Sequence, residues 1–237
     1  MSFAFNVFSE IDPLRTVLVH RPGEELLSLS PHNLERLLFD DIPYLEVAQD
    51  EHDAFTQMLA GEGVEVCYLI DLVVEALEAD ADAKAAFIQR YLDESDVFGE
   101  SIKELASAHL HSIADTRTLV ERCIAGIRLH DIDLDAIDSR SLADAASIDH
   151  CRRSGIVVDP IPNLYFTRDT FSIIGHGVSL NSMRTTTRRR ESLFGDTIFA
   201  SHPAYKDAAR FYESRNGTSI EGGDILVLSK DTLAIGI

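Results

Sequence analysis

Residues 161–169 read Ile-Pro-Asn-Leu-Tyr-Phe-Thr-Arg-Asp, and some fifty residues later residues 220–224 read Ile-Glu-Gly-Gly-Asp. Each stretch runs from apolar residues towards a carboxylate, Asp169 in the first and Glu221 in the second. A carboxylate where a strand gives out, beside glycines that let backbone or ligand come close, is poorly solvated and seeks a cation offering several hydrogen bonds. A planar guanidinium answers that need. The pair equally fits a general acid and base, two metal ligands, or caps and turn residues. The metal option lacks partners, because His176 and His202 keep no ligand spacing with the pair and a hard cation wants more carboxylates nearby.

Outward from this pair, short β-rich runs alternate with helical spacing. Downstream of Gly155, strands are expected at 156–158, 171–174, 178–180, 198–200, 225–228 and 233–237, with one helix near 204–215. Upstream, residues 14–22 read as a buried strand closed by a turn at Pro22 and Gly23. A helix is expected after Ser30, with Ser30 as N-cap and Pro31 at the first helical position, ending near Pro43. Leu45, Ala48, His52, Phe55 and Leu59 define a second helix over 44–61, stopped by Gly61 and Gly63, and residues 64–69 form the next strand.

Between Asp71 and Cys151, alanine, leucine and acidic residues dominate. Ser101 with Glu104, and Thr118 with Glu121, match the capping box, and Ile102, Leu105 and His109, then Leu119, Cys123 and Ile127, recur at helical intervals. This block reads as four or five helices inserted between strands. The chain is therefore α/β in three parts, 1–70, 71–154 and 155–237.

With 45% hydrophobic residues, a chain of 237 residues can bury one large core. Forty acidic residues against 21 basic ones leave a formal charge of -19, which argues against nucleic acid as a partner. The same charge is compatible with a small cationic ligand and with plain solubility. Cys67, Cys123 and Cys151 are an odd count without zinc spacing and read as reduced thiols in a cytoplasmic protein. No basic export leader and no run of eighteen apolar residues occurs, so no membrane association is expected.

Other residues invite chemistry. Arg188, Arg189 and Arg190 stand out in so acidic a chain: one could grip a carboxylate bidentately, or all could lie on a helix face with i,i+4 partners. Cys151 lies between His150 and Arg152, a cationic setting able to lower a thiol pKa, yet nothing around it resembles a catalytic signature. The histidines of Asp50-Glu51-His52-Asp53 and of His109-Leu110-His111 make no metal site by themselves.

The stretch from Pro162 to Asp169 and the Glu221-Gly222-Gly223-Asp224 motif resemble the arginine deiminase family of the guanidino-group-modifying (pentein) superfamily. Residues 14–22, 37–41, 49–55, 178–181 and 188–191 follow in the family's order, so the resemblance spans the sequence. It implies a partial pentein α/β propeller with an inserted α-helical bundle, in which 1–70 and 155–237 supply propeller modules. It implies hydrolysis of L-arginine to L-citrulline and ammonia, in arginine degradation, without metal or organic cofactor. Asp169 and Glu221 would bind the guanidinium as the catalytic carboxylates, Arg188 would hold the substrate carboxylate, and Leu38, Asn163 and Phe166 would line or close the pocket. Asp224 would orient the site from behind. The implied partner is a small molecule, neither nucleic acid nor membrane, with homo-oligomerisation left open.

No segment matches the family's cysteine nucleophile or its histidine acid/base, and none of the three cysteines aligns with the former. Because the family's covalent mechanism needs that thiol, the sequence reads as about three fifths of such an enzyme, inactive on its own. The alternatives are a non-catalytic arginine-binding remnant, or another guanidine-modifying hydrolase or amidinotransferase.

Overall fold

The structure is a computed structural model, described over residues 5–137, 141–213 and 217–236. The strand β1 (Thr16–Val19) pairs in parallel with β2 (Glu65–Tyr68), Thr16 opposite Glu65 and Val19 opposite Tyr68. Helix α1 (Leu45–Gly61) makes the crossover between them. Then follow α2 (Leu69–Ala79), α3 (Ala83–Asp93), α4 (Glu100–Ser112), α5 (Thr116–Ala125) and, after the short strand β3 (Ile127–Arg128), α6 (Leu142–Ser154). Strand β4 (Ile156–Val158) returns antiparallel to β3.

The rest of the chain is shorter-ranged. A single helical turn, α7 (Thr167–Thr170), leads into a sheet of β5 (Phe171–Ile174), β6 (Gly177–Leu180) and β7 (Ala209–Tyr212), with α8 (Ser192–Ser201) between the last two strands. Strands β8 (Ile225–Ser229) and β9 (Thr232–Ile235) form a separate hairpin. The chain is thus mixed α/β, with small sheets, none of them closed into a barrel among the described residues.

One core runs through it. Val73 and Leu77 of α2, Phe87 and Tyr91 of α3, Ile102 and Leu110 of α4, and Leu119 and Cys123 of α5 are buried together with Val178, Leu180, Leu193, Phe194 and Ile198. A smaller cluster of Leu26, Leu29 and Leu37 sits under the loop that precedes α1.

The structure corrects four local expectations. Residues 198–200 are helical: Leu193, Phe194, Ile198 and Phe199 of α8 are all buried, with Phe199 edge-on to Phe171 at 5.2 Å, so a short apolar run serves a buried helix. In place of a helix near 204–215 come turns at 203–207 and then β7, because the open edge of β6 offers hydrogen bonds that local propensity does not; residues 214–215 and Ile237 lie outside the described residues.

Residues 31–38 are successive turns instead of a helix. Asn33 organises them, accepting from the Ser30 N–H at 2.7 Å and donating to the Ser28 carbonyl at 2.9 Å, and Leu38, at φ 62°, breaks any helical run. Neither capping box forms: Asp115 caps α5 by accepting from Thr118 N–H at 2.8 Å, and the Ser101 hydroxyl donates to Asp144 of α6 at 3.1 Å.

Candidate guanidinium site

Asp169 sits on α7, a turn held from three sides. The Thr167 hydroxyl donates to the Leu18 carbonyl of β1 at 3.0 Å, the Thr170 hydroxyl to the Thr167 carbonyl at 3.1 Å, and the Asn181 side-chain amide to the Asp169 carbonyl at 3.1 Å. Asn181 is fully buried and also bonds Ser172 and Ser179 through its side chain, while its carbonyl accepts from Ser192. A satisfied buried amide of this kind fixes α7 to β5, β6 and α8 at once.

Glu221 arrives by another route. An isolated bridge pairs Ser182 with Ile220, each donating its N–H to the other's carbonyl at 3.0 Å, and the chain then turns through Gly222 and Gly223. Asp224 accepts the Glu221 N–H at 2.9 Å, and one Glu221 carboxylate oxygen accepts the Arg184 N–H at 2.9 Å. Arg168 closes the gap between the two segments, donating to the carbonyls of Gly222 at 3.3 Å and Ile225 at 2.7 Å while pairing with Glu10 at 2.8 Å.

Between the carboxylates lies a guanidinium, that of Arg188. Its Nη1 is 3.0 Å from Asp169 Oδ2 and 3.8 Å from Glu221 Oε2. Its other edge is bidentate on Glu191, with Nε 2.9 Å from Oε1 and Nη2 2.8 Å from Oε2. The Phe166 ring stands 5.7 Å from Cζ, within cation–π range. Burial works against the Arg188 charge, but hydrogen bonds to Glu191 and Asp169 outweigh it and hold the guanidinium above its ordinary pKa. Glu191 is 1% exposed, and burial pushes its carboxyl up to about 7 against the pull of Arg188, with Asp169 and Glu221 adding like-charge repulsion.

A family model described as arginine deiminase matches residues 35–237. The chain is 48% identical to the arginine deiminase of Clostridium perfringens (strain SM101 / Type A) over 236 residues, 99% of this chain and 56% of that protein. It is 46% identical to that of Treponema denticola over 98% of this chain and 55% of the relative, and 47% identical to that of Streptococcus pneumoniae (strain CGSP14) over its full length and 57% of the relative. The chain belongs to the arginine deiminase family. It spans just over half the length of these curated relatives.

The arginine deiminase reading of the sequence singled out seven site residues, and the structure brings four of them together, with Phe166, Asp169 and Glu221 around the guanidinium of the fourth, Arg188. Asp224 meets them through the Glu221 backbone. Asn163 and Leu38 lie on a neighbouring seam: the buried Asn163 amide donates to the Leu37 carbonyl at 2.9 Å, so it fixes the turn that carries Leu38, whose side chain is half exposed.

The arginine run lies on a short 3-10 helix, Thr186–Glu191, so the partner of Arg188 is Glu191 at i+3 and the helix face with i,i+4 partners does not form. Sequence reasoning did not assign Glu191 or Arg168 a role. An acid three residues after Arg188, in a segment already matched to the family, was the available signal for Glu191. For Arg168 there was none, since its partners, two backbone carbonyls and the Glu10 carboxylate, all lie more than fifty residues away.

None of the three cysteines has an activating setting. Cys123 and Cys151 are buried, and desolvation raises the thiol pKa of all three, which overturns the cationic activation considered for Cys151. Among the described residues no group of three or more His, Cys, Asp or Glu side chains could hold a metal ion, and no helix is long and apolar enough to cross a membrane.

Proposed function

We propose that these residues supply the substrate clamp of an arginine deiminase, the enzyme that hydrolyses L-arginine to L-citrulline and ammonia. The observation that carries this reading is the position of Asp169 and Glu221, on separately braced segments and both facing a guanidinium, at 3.0 and 3.8 Å. A guanidinium stays protonated in water and presents five donors in one plane, which two carboxylates on fixed backbone can satisfy while leaving the central carbon open. Such a clamp orients the carbon for attack and stabilises charge as the centre becomes tetrahedral.

In this reading Phe166 packs against the substrate guanidinium plane, Arg188 binds the substrate carboxylate, Leu38 and Asn163 border the pocket, and Asp224 holds Glu221. The covalent step then draws on a cysteine that these 237 residues do not supply. The strand and helix units of 1–70 and 155–237 would be modules of a pentein propeller and 71–154 its helical insert, in a cytoplasmic enzyme.

Calorimetry with L-arginine tests the clamp on the chain as it stands. The wild type should bind, and Asp169→Asn and Glu221→Gln should each weaken binding by about tenfold or more, the loss of one charge-assisted pair. Unchanged affinity in both variants would sink the reading.

A further inference from the structure

We infer that Arg36, Asp159 and Arg190 are positioning residues of the clamp: with Thr187 they close a ring of bonds that ties the 3-10 helix of Arg188 and Glu191 to the two pocket borders, Leu38 and Asn163. The inference rests on the reading of Asp169 and Glu221 as that clamp.

Arg190 lies on the 3-10 helix two residues after Arg188 and has different partners. It is 5% exposed, its Cζ is 5.2 Å from the ring centre of the fully buried Tyr91 of α3, and its Nη2 donates to the Asp159 carbonyl at 2.9 Å. The Asp159 carboxylate takes both Nη atoms of Arg36, with Nη2 2.9 Å from Oδ1. The Arg36 carbonyl then accepts the Thr187 hydroxyl at 3.0 Å, which returns the path to the 3-10 helix. The turn bearing Arg188 is thus tied on both sides of that residue.

The ring has firm anchors. A Cβ at Gly126, just past the end of α5, would lie 2.5 Å from the Val158 carbonyl oxygen and 2.9 Å from the Asp159 carbonyl carbon, and the Ile161 N–H donates to the Ile124 carbonyl at 2.9 Å. Backbone therefore rests on backbone around Asp159, four residues before Asn163. At the other border Leu38 holds φ 62°, a left-handed conformation that a leucine side chain disfavours and that surrounding contacts must impose. They do: the carbonyls of the two residues before it, Arg36 and Leu37, accept from Thr187 and from Asn163.

Local stability alone does not account for Arg190. Among the described residues no carboxylate pairs with it, and its buried Nη1 has no hydrogen-bond partner. A guanidinium so placed costs desolvation that an apolar side chain of similar length avoids. What it adds is a directed bond that sets where the helix lies.

The experiment measures L-arginine affinity by calorimetry, and melting temperature, for the wild-type chain, Arg36→Met, Arg190→Met and the double variant. Each single change opens the ring, so each should weaken binding by about fivefold, the effect of one hydrogen bond. The double variant should lose no more than the worse single, because one break already opens the ring. Melting temperature should hardly move: Arg36 is half exposed, and in Arg190→Met relief from burying a guanidinium offsets the lost bond. A local signal separates position from stability: in nitrogen-15 spectra the Arg188 Nε–H, which donates to Glu191, should exchange with water faster in each variant than in wild type. Should Arg190→Met fail to fold, Arg36→Met with Asp159→Asn makes the same cycle. Losses that add, or that only follow a falling melting temperature with Arg188 exchange unchanged, would overturn the ring. Folded variants that bind as wild type does would overturn the positioning role and leave the clamp intact. Wild type that binds no L-arginine would remove the clamp, and the positioning role with it.

Discussion

Around Arg188, three carboxylates share one guanidinium, and they differ in burial. Glu191 is the deepest, and its carboxyl is raised from 4.5 to about 7. A carboxyl raised in the folded state binds its proton more tightly there than in the unfolded chain, so its contribution to stability is complete below about pH 4.5 and is lost as pH rises through about 7. Glu191→Gln stays neutral and removes that slope. Melting temperature measured from pH 4 to pH 8 should therefore fall less steeply in the variant than in wild type, with parallel curves refuting the assignment. Asp169 and Glu221 stood out in the sequence as candidates through the motifs that carry them, while cap or turn roles fitted the same residues. Their cage was not legible, since a 3-10 turn of Thr186–Glu191 had to fold before Glu191 could reach Arg188.

At the scale of elements, the site depends on how closely α7 and the turn after Glu221 approach. A Cβ at Gly222 would lie 1.9 Å from the Arg168 carbonyl oxygen and 2.5 Å from its carbon, so backbone meets backbone there; at Gly223 a Cβ meets nothing within 4 Å. Gly222→Ala must push the two segments apart, at a cost of about 1–3 kcal/mol. Thermal unfolding should show a fall of several degrees for Gly222→Ala and almost none for Gly223→Ala, and only the former should weaken arginine binding. Equal effects would refute the close approach as the controlling feature. The sequence marked both glycines without ranking them, because the neighbour that matters lies more than fifty residues away. Strands such as β1, β2 and β5 were legible from their β-branched and aromatic residues. Residues 198–200 were not, because a three-residue apolar run does not separate a strand from a buried helix, and contact with α2 and α3 decides it.

For the whole molecule, charge acts in two opposed directions. A formal charge of -19 on 237 residues places like charges close together across the folded surface, and their repulsion favours expansion. In the proposed reading, the same field would draw a cationic ligand towards the cage of Asp169, Glu191 and Glu221. Salt screens both effects, over about 10 Å at 0.1 M and about 3 Å at 1 M. Raising sodium chloride from about 0.02 M to 0.5 M should therefore raise the melting temperature of the ligand-free chain while weakening its affinity for L-arginine. Sodium chloride affects water structure little compared with sulfate, so a rise of this kind reports screening more than strengthened apolar burial. The opposite signs are what tie both effects to charge: a general stabilisation of the fold would hold the clamp together better and leave affinity level or improved. Melting curves and calorimetry on one salt series decide it, and a joint rise in stability and affinity would rule out the charge-driven account of ligand capture.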